Sequence, residues 1–218
     1  MPRRPPQDAE PPLLVACALG IERFALRGGD PGPAGAPAVM LRTGMGPQAA
    51  ERALANALGE GAPTAGSPVV ASGFCAGLAP GMRPGDVIVA EATRDHQSGV
   101  PDVPCRDNGP LVRALRARDL RVHTGLLRGS DHVVRGAERA ALHAEGAIAV
   151  DMESAATLRT AVRCGSPAVA AVRVVVDSPE HELVRIGTVR GGISAFCVLR
   201  SVFPVLFDWH RSLPLPRR

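Results

Sequence analysis

The feature that most limits how this chain can fold is a set of strand-length apolar runs with almost no polar alternation. They are Leu13-Leu14-Val15-Ala16-Cys17-Ala18, Ala38-Val39-Met40-Leu41, Val69-Val70-Ala71, Val87-Ile88-Val89, Ala147-Ile148-Ala149-Val150 and Ala168 to Val176. Near-continuous hydrophobicity of this kind marks strands covered on both faces. Between the runs, helix-like stretches are expected at Pro47 to Leu58, Gly109 to Arg118, Ala137 to Glu145, Glu153 to Cys164 and Arg190 to Leu206. Pro47 suits a first helical turn, where its missing N–H is not needed. The alternation predicts an α/β protein, a three-layer α/β/α sandwich with a mixed, largely parallel central sheet.

The 218 residues suffice for one generous core but not for two enzymes in tandem. Residues 1–12 (MPRRPPQDAEPP) are proline-rich and polar, and a flexible leader is expected there. One domain is expected over 13–210 and a flexible tail over 211–218. Segments 31–37 and 59–68 read as turn-rich connections. The stretch 93–108 reads as a longer irregular excursion of the kind that overhangs a site.

Composition removes several functions. With 45% apolar and 21% charged residues, disorder is not a description of the whole. Aromatic residues make up 3% and Tyr is absent, so base-stacking platforms for nucleic acid are missing and no nucleic-acid partner is expected. The sequence contains no Lys at all, which excludes a Schiff-base lysine and a Walker lysine; the net charge of +4 is carried by Arg. Cys17, Cys75, Cys105, Cys164 and Cys197 are scattered, without C-x-x-C spacing, so buried free thiols and a reduced, cytoplasmic protein are expected. No charged n-region followed by an apolar h-region opens the chain.

Four clusters could carry chemistry. Arg42-Thr43-Gly44-Met45-Gly46-Pro47 follows a strand and opens a helix, where glycines admit a ligand to the backbone and free N–H groups favour an anion or sugar oxygen. Glycine for purely conformational reasons explains such a turn equally well. Ala71-Ser72-Gly73-Phe74-Cys75-Ala76-Gly77 runs from a strand into a floor of small residues at the carboxyl edge of the sheet, with Phe74 the odd aromatic. Val150-Asp151-Met152-Glu153-Ser154 leaves a buried strand carrying two carboxylates. Asp151 suits the positive end of the following helix, and Glu153 suits ligand contact, because a buried carboxylate needs hydrogen-bond donors. Asp177 ends the most apolar strand; flanked by valines, it could hold a proton for a leaving group, or merely start a turn.

The motifs RTGMGP, GFCAGLAPGMRPGDVIV, VDMESAA and VRVVVD, in this order along Leu13 to Leu206, resemble the superfamily of purine nucleoside phosphorylases and methylthioadenosine/S-adenosylhomocysteine nucleosidases. Within it, LLVACALGIERFAL, GSDHVV, AVDMESAATL and RVVVDSPEHEL look most like the hopanoid-associated phosphorylases. That resemblance implies a nucleoside phosphorylase-like fold and removal of adenine from adenosylhopane in hopanoid biosynthesis. By matching position, Asp177 is implied to protonate the purine at N7, Glu153 to bind the ribose 2'-hydroxyl and Glu22 to orient the nucleophile. Met152 is implied to pack against the sugar. Gly44 and Gly46 form the turn near the nucleophile, and Val133 and Val134 cover the base, with His132 beside them. The floor Phe74, Cys75 and Gly77 completes the substrate-binding set.

The chain also departs from the pattern of the methylthioadenosine enzymes. Phe74 stands where they have a small Ser, Val133 where they have an aromatic, and Val176 where a Ser precedes the catalytic Asp. Phe74 with Phe24 and Leu26 suggests a greasier sugar-side pocket for an alkyl or polycyclic group. Three readings remain at this level: adenosylhopane cleavage, a methylthioadenosine/S-adenosylhomocysteine or futalosine-type nucleosidase, and a non-catalytic nucleoside sensor or scaffold. No cofactor or metal is expected, with inorganic phosphate the alternative nucleophile to water. The resemblance further implies a lipid-linked adenine nucleoside as partner, a homo-oligomer, and peripheral contact with the inner membrane face, for which Arg163, Arg200, Arg211, Arg217 and Arg218 are candidate headgroup contacts. His96, His123, His143, His181 and His210 read as surface or structural.

Overall fold

Successive residues of β1 (Leu13–Cys17) belong to different cores, which is the reason its sequence has no polar alternation. Leu13, Val15 and Cys17 join one buried cluster, and Leu14 and Ala16 join the other. The same division holds in β4 (Val87–Arg94), where Val87 and Val89 face one side and Ile88 and Ala90 the other, and in β8 (Val169–Asp177). A strand's side chains alternate between faces, so an apolar run on both faces requires a covering layer on each. The computed structural model describes residues 11–29, 38–178 and 188–214, and within them those layers are present.

The remaining elements are α1 (Gly20–Arg27), β2 (Ala38–Arg42), α2 (Pro47–Leu58), β3 (Val69–Gly77), β5 (Val103–Pro104), α3 (Gly109–Arg116), β6 (Val122–Gly129), α4 (Ala137–Ala144), β7 (Ala147–Asp151), α5 (Ser154–Arg163) and α6 (Thr188–Ser212). Helices α1, α3 and α6 pack together on one side, and α2 and α5 on the other. Pairing is parallel for β1 with β2 and β3, for β3 with β8, and for β6 with β4 and β7. It is antiparallel for β3 with β7, β4 with β5 and β4 with β8. The mixed, largely parallel sheet is as expected. The sequence did not reveal that β3, β8, β4, β6 and β7 close into a ring, with β1 and β2 extending from β3.

Ring closure bends strands at irregularities, and one of these lies where chemistry is expected. The β3/β8 register shifts between Cys75 and Ala76, so that Val175 pairs with Cys75 but Asp177 pairs with Ala76. One extra residue, Val176, is accommodated there; a bulge of this type re-aims the side chain that follows it.

Several boundaries differ from expectation. β3 continues through the small-residue floor to Gly77, because the floor pairs in register with the apolar β8. α1 and β6 were not anticipated: α1 is a short helix whose glutamate is buried, and His, Thr and Gly interrupt the apolar run of β6. α6 extends to Ser212, two residues into the stretch expected to be tail. Its Ile193–Ser212 portion is long and apolar enough to cross a membrane by length and composition, but half of it is buried within the fold, Trp209 and Val202 fully. The 1–10 part of the expected leader and residues 215–218 lie outside the described residues, as do His181, Arg217 and Arg218. The expectation of buried thiols holds for Cys17, Cys75 and Cys105, whereas Cys164 is half-buried and Cys197 is exposed.

Candidate active site

Three carboxylates from different parts of the chain are brought to one end of the sheet, two of them by short strand-to-helix turns. Glu22 sits in the first turn of α1, Glu153 at the start of α5 and Asp177 at the end of β8. All three are buried, and all three line a single cavity of about 260 Å³. Phe74, Cys75, His132, Val133, Val134 and Met152 line the same cavity. Burial of three acids together is costly unless each is partnered, and each is.

Among the described residues, Glu22 is held by backbone amides. Its Oε2 accepts from the N–H groups of Ala18 at 2.9 Å and Leu19 at 2.8 Å, and its Oε1 accepts from the N–H of Phe74 at 2.7 Å. Beside it the backbone of Gly73 has φ +148°, and a Cβ there would overlap Glu22 Oε1 and approach Arg173 Nη1 to 2.6 Å. The missing side chain therefore lets Glu22 and Arg173 flank one point at the base of the cavity.

Glu153 Oε1 accepts from the N–H of Gly46 at 2.8 Å. Gly46, at φ +87°, adopts a left-handed conformation natural to glycine, and Pro47 follows as the first residue of α2. Burial, then the neighbouring Asp151, pushes the Glu153 carboxyl up to about 7, against the pull of Arg173 and the Gly46 amide. Asp151 has the helix-start role expected of it, since Oδ1 accepts from the N–H of Ser154 at 3.0 Å and Oδ2 from its hydroxyl at 2.5 Å. It also makes a buried ion pair with Arg173 Nε at 2.7 Å. Burial opposes the charge on Arg173, but Asp151, Glu153 and Glu22 together hold the guanidinium above its ordinary range. Arg173 Nη1 has no hydrogen-bond partner among the described residues.

Asp177 is not left isolated by its valine neighbours. Arg139, from the first turn of α4, grips it at two points, Nη2 on Oδ2 and Nη1 on Oδ1, the latter at 3.3 Å. The valine flanks expected of this carboxyl are thus only part of its surroundings: an opposite charge sits beside it. Arg139 was missed by sequence reasoning, and so were the wall residues Leu19, Met45 and Val176.

Other expectations need correction. Gly77 does not line the cavity; it is packed under Met82, whose Sδ would lie 2.9 Å from an added Cβ. Gly44 and Gly46 shape the turn but their neighbours Met45 and Glu153, not the glycines, form the wall. Phe24 is 70% exposed against Phe196, and Leu26 is wholly buried in the α1/α6 core, so only Phe74 of the three supplies a greasy pocket wall. Cys75 lines the wall as a thiol that burial pushes far up, unsuited to act as a nucleophile. His132 is exposed at the rim, where Asp131, then Glu138, hold its imidazole above the ordinary value.

The excursion 93–108 does not overhang this site. It carries the end of β4 and all of β5, and it lines a separate cavity of about 520 Å³ with Arg159, Val162, Arg163 and Ser166. That larger cavity holds none of the candidate catalytic or substrate-binding residues. Among the described residues no group of three or more His, Cys, Asp or Glu side chains is placed to hold a metal ion.

The fold is similar to that of solved nucleoside-cleaving enzymes. A 5'-methylthioadenosine/S-adenosylhomocysteine nucleosidase from Neisseria meningitidis, in complex with methylthio-immucillin-A, matches with TM-score 0.75 at 20% identity, over 94% of this chain and 100% of that one. The S-adenosylhomocysteine nucleosidase of Streptococcus pyogenes matches at 0.72 and 17%, over 93% and 97%. The futalosine hydrolase of Helicobacter pylori matches at 0.73 and 14%, over 90% and 97%. A search of the curated proteins found no match. The profile of the phosphorylase superfamily matches residues 31–188, most of the chain, and on that ground, together with the shared fold, the chain belongs to the phosphorylase superfamily.

Proposed function

We propose that this protein hydrolyses the N-glycosidic bond of an adenine nucleoside carrying an apolar group on its 5' side, with adenosylhopane the substrate that the sequence resemblance favours. Membership of the superfamily supports an enzyme of nucleosidase or nucleoside phosphorylase type. The observation that carries the proposal is that Asp177 and Glu153 line one cavity with Glu22 at its base. Cleavage sends the C1'–N9 electron pair into the purine, and a proton from the Asp177 carboxyl to N7 neutralises it. The Glu153 carboxylate accepts the 2'-hydroxyl as positive charge develops on the ribosyl carbon. Water attacks C1' and passes its proton to the Glu22 carboxylate, so one proton leaves Asp177 and one arrives at Glu22.

Charge favours water over phosphate. Among the described residues the cavity wall carries four carboxylates, Glu22, Asp151, Glu153 and Asp177, against the guanidinium of Arg139, with Arg173 behind. A phosphate dianion at the base of the cavity would meet Glu22 directly and gain little from an arginine already shared with Asp151.

Phe74, half-buried in the wall, supports an apolar 5' substituent, whereas the fold is equally compatible with a methylthioadenosine/S-adenosylhomocysteine nucleosidase. Mass spectrometry of products from adenosylhopane, methylthioadenosine and adenosine, with and without phosphate, tests these readings. Adenine with a free ribosyl product, independent of phosphate and lost in Asp177→Asn, is the expected result. A ribose 1-phosphate product would overturn hydrolysis, and preference for methylthioadenosine would overturn the apolar substrate. Nucleoside binding without turnover would leave a sensor.

A further inference from the structure

We propose that Arg139 is a positioning residue that joins the proton donor Asp177 to the segment covering the base; this rests on the reaction proposed above. Arg139 is the single buried residue of α4; Leu142 and His143 are half-buried and the other residues of the helix are exposed. A guanidinium is rarely buried unless something within the fold holds it. Here it has two partners. Its two terminal nitrogens bind the Asp177 carboxylate, and its Nε donates to the Val134 carbonyl at 3.2 Å.

The adjacent residue ties the same segment from outside. Glu138 accepts from His132 Nε2 at 3.0 and 3.1 Å, while His132 Nδ1 meets Asp131 at 2.7 Å. Ser130 Oγ accepts from the N–H of His132 and donates to its carbonyl. Two successive residues of one helical turn thus pin residues 130–136, one on the solvent side and one on the cavity side. Val133 and Val134 of that segment form cavity wall.

The chemical consequence follows from where charge develops. In the proposed reaction Asp177 carries the proton that is transferred; after the O–H bond breaks and the N7–H bond forms, a carboxylate remains. A fixed guanidinium on both oxygens stabilises that product and the transition state leading to it more than the reactant. Because the same guanidinium holds Val134, the acid and the cover over the base are set in one geometry, which a bare carboxyl on a strand end would not provide.

The test uses the full-length enzyme, its adenine release, and the variants Arg139→Gln and Arg139→Lys, with thermal unfolding to confirm folding. Other charged groups facing Asp177 across the cavity are Glu22, Asp151, Glu153 and His132, with Arg173 behind. These are unchanged in the variants, so the difference between pH profiles isolates Arg139. Arg139→Gln is expected to lower kcat by about 10²-fold with little change in KM, and to move the high-pH limb of kcat/KM upward, because the acid loses the cation that helps it release its proton. Arg139→Lys, which keeps the charge but not the two-point grip, should recover part of the rate, and added guanidinium should partly rescue Arg139→Gln. A folded Arg139→Gln enzyme with near-normal kcat overturns the inference. So does a slow one with an unmoved limb and no guanidinium rescue, which indicates packing alone. If Arg139→Gln does not fold, a folded Arg139→Lys with unchanged kcat and limb overturns it equally. Wild-type enzyme that releases no adenine removes the reaction and this inference with it, whereas normal wild-type turnover with unaffected variants removes only the inference.

Discussion

The Glu153 carboxylate and the Gly46 amide, 107 residues apart in sequence, meet at 2.8 Å, joining the start of α5 to the start of α2. One buried acid thereby fixes two of the strand-to-helix turns that build the cavity.

Replacing Glu153 should separate its two contributions. Its carboxyl titrates at about 7 in the folded protein against 4.5 ordinarily, chiefly through burial and then through Asp151. The folded state therefore binds this proton more tightly than the unfolded chain. The associated stability is fully present below the ordinary value of 4.5 and is lost as pH rises through about 7. The loss amounts to roughly 3 kcal/mol. In Glu153→Gln that dependence is absent, so urea unfolding from about pH 5 to about pH 8 should show the variant gaining on wild type as pH rises. Activity should fall by about 10- to 100-fold, the worth of a hydrogen bond to a charged acceptor. A stability difference that does not change with pH contradicts the assignment.

Gly73→Ala should be damaging although it adds one methyl group. The new Cβ would overlap Glu22 Oε1 and Arg173 Nη1, and φ +148° is a conformation L-residues avoid. A cost of about 1–3 kcal/mol in stability is expected. Displacement of Glu22 should lower turnover more than substrate affinity. Thermal unfolding and steady-state kinetics check both; wild-type kcat in the folded variant would mean that Glu22 does not serve the nucleophile.

What the sequence made legible was set by chain-local physics. The apolar runs specified the buried strands because both faces must be covered, and the acids at the strand ends stood out because carboxylates are costly there. Arg173 also carried a readable signal, since an arginine within the run Val172 to Val176 demands a buried anion, and Asp151 is that anion. Arg139 carried none: its burial depends on how the exposed helix α4 is laid against the end of β8, a relation fixed only by tertiary packing. The same limit applied to Phe24 and Phe74. Both looked fit for a pocket wall, but Phe24 projects from α1 toward Phe196 while Phe74 follows the Gly73 backbone into the cavity. Closure of the sheet was invisible for a related reason, because antiparallel pairing of β8 with β4 and of β3 with β7 leaves no local signature.

Breaking the Arg173–Asp151 pair on one side should be among the costliest single changes. Arg173→Met leaves a buried carboxylate without its cation, at an expected cost of about 3–5 kcal/mol. Adding Asp151→Asn removes the stranded charge, so the double variant should be more stable than the sum of the single effects implies. Urea unfolding of the four members of the cycle measures the coupling. Strict additivity would show that the 2.7 Å contact contributes nothing to folding.

Substrate preference should turn on Phe74. It is the aromatic member of the cavity wall, and its amide holds Glu22, so its backbone is fixed while its side chain is free to select the group on the 5' side. Truncation to Ala leaves the amide in place and removes apolar contact worth about 1.5–3 kcal/mol when a large side chain is fully covered. Phe74→Ala should therefore lower kcat/KM for nucleosides with a long 5'-alkylthio group by about 10- to 100-fold, with adenosine changed much less. The informative quantity is the ratio of the two kcat/KM values in wild type and variant, because a general loss of activity cancels from it. An unchanged ratio would place the 5' group away from Phe74 and remove the structural support for an apolar substituent, while leaving the cleavage chemistry proposed for Asp177, Glu153 and Glu22 untouched.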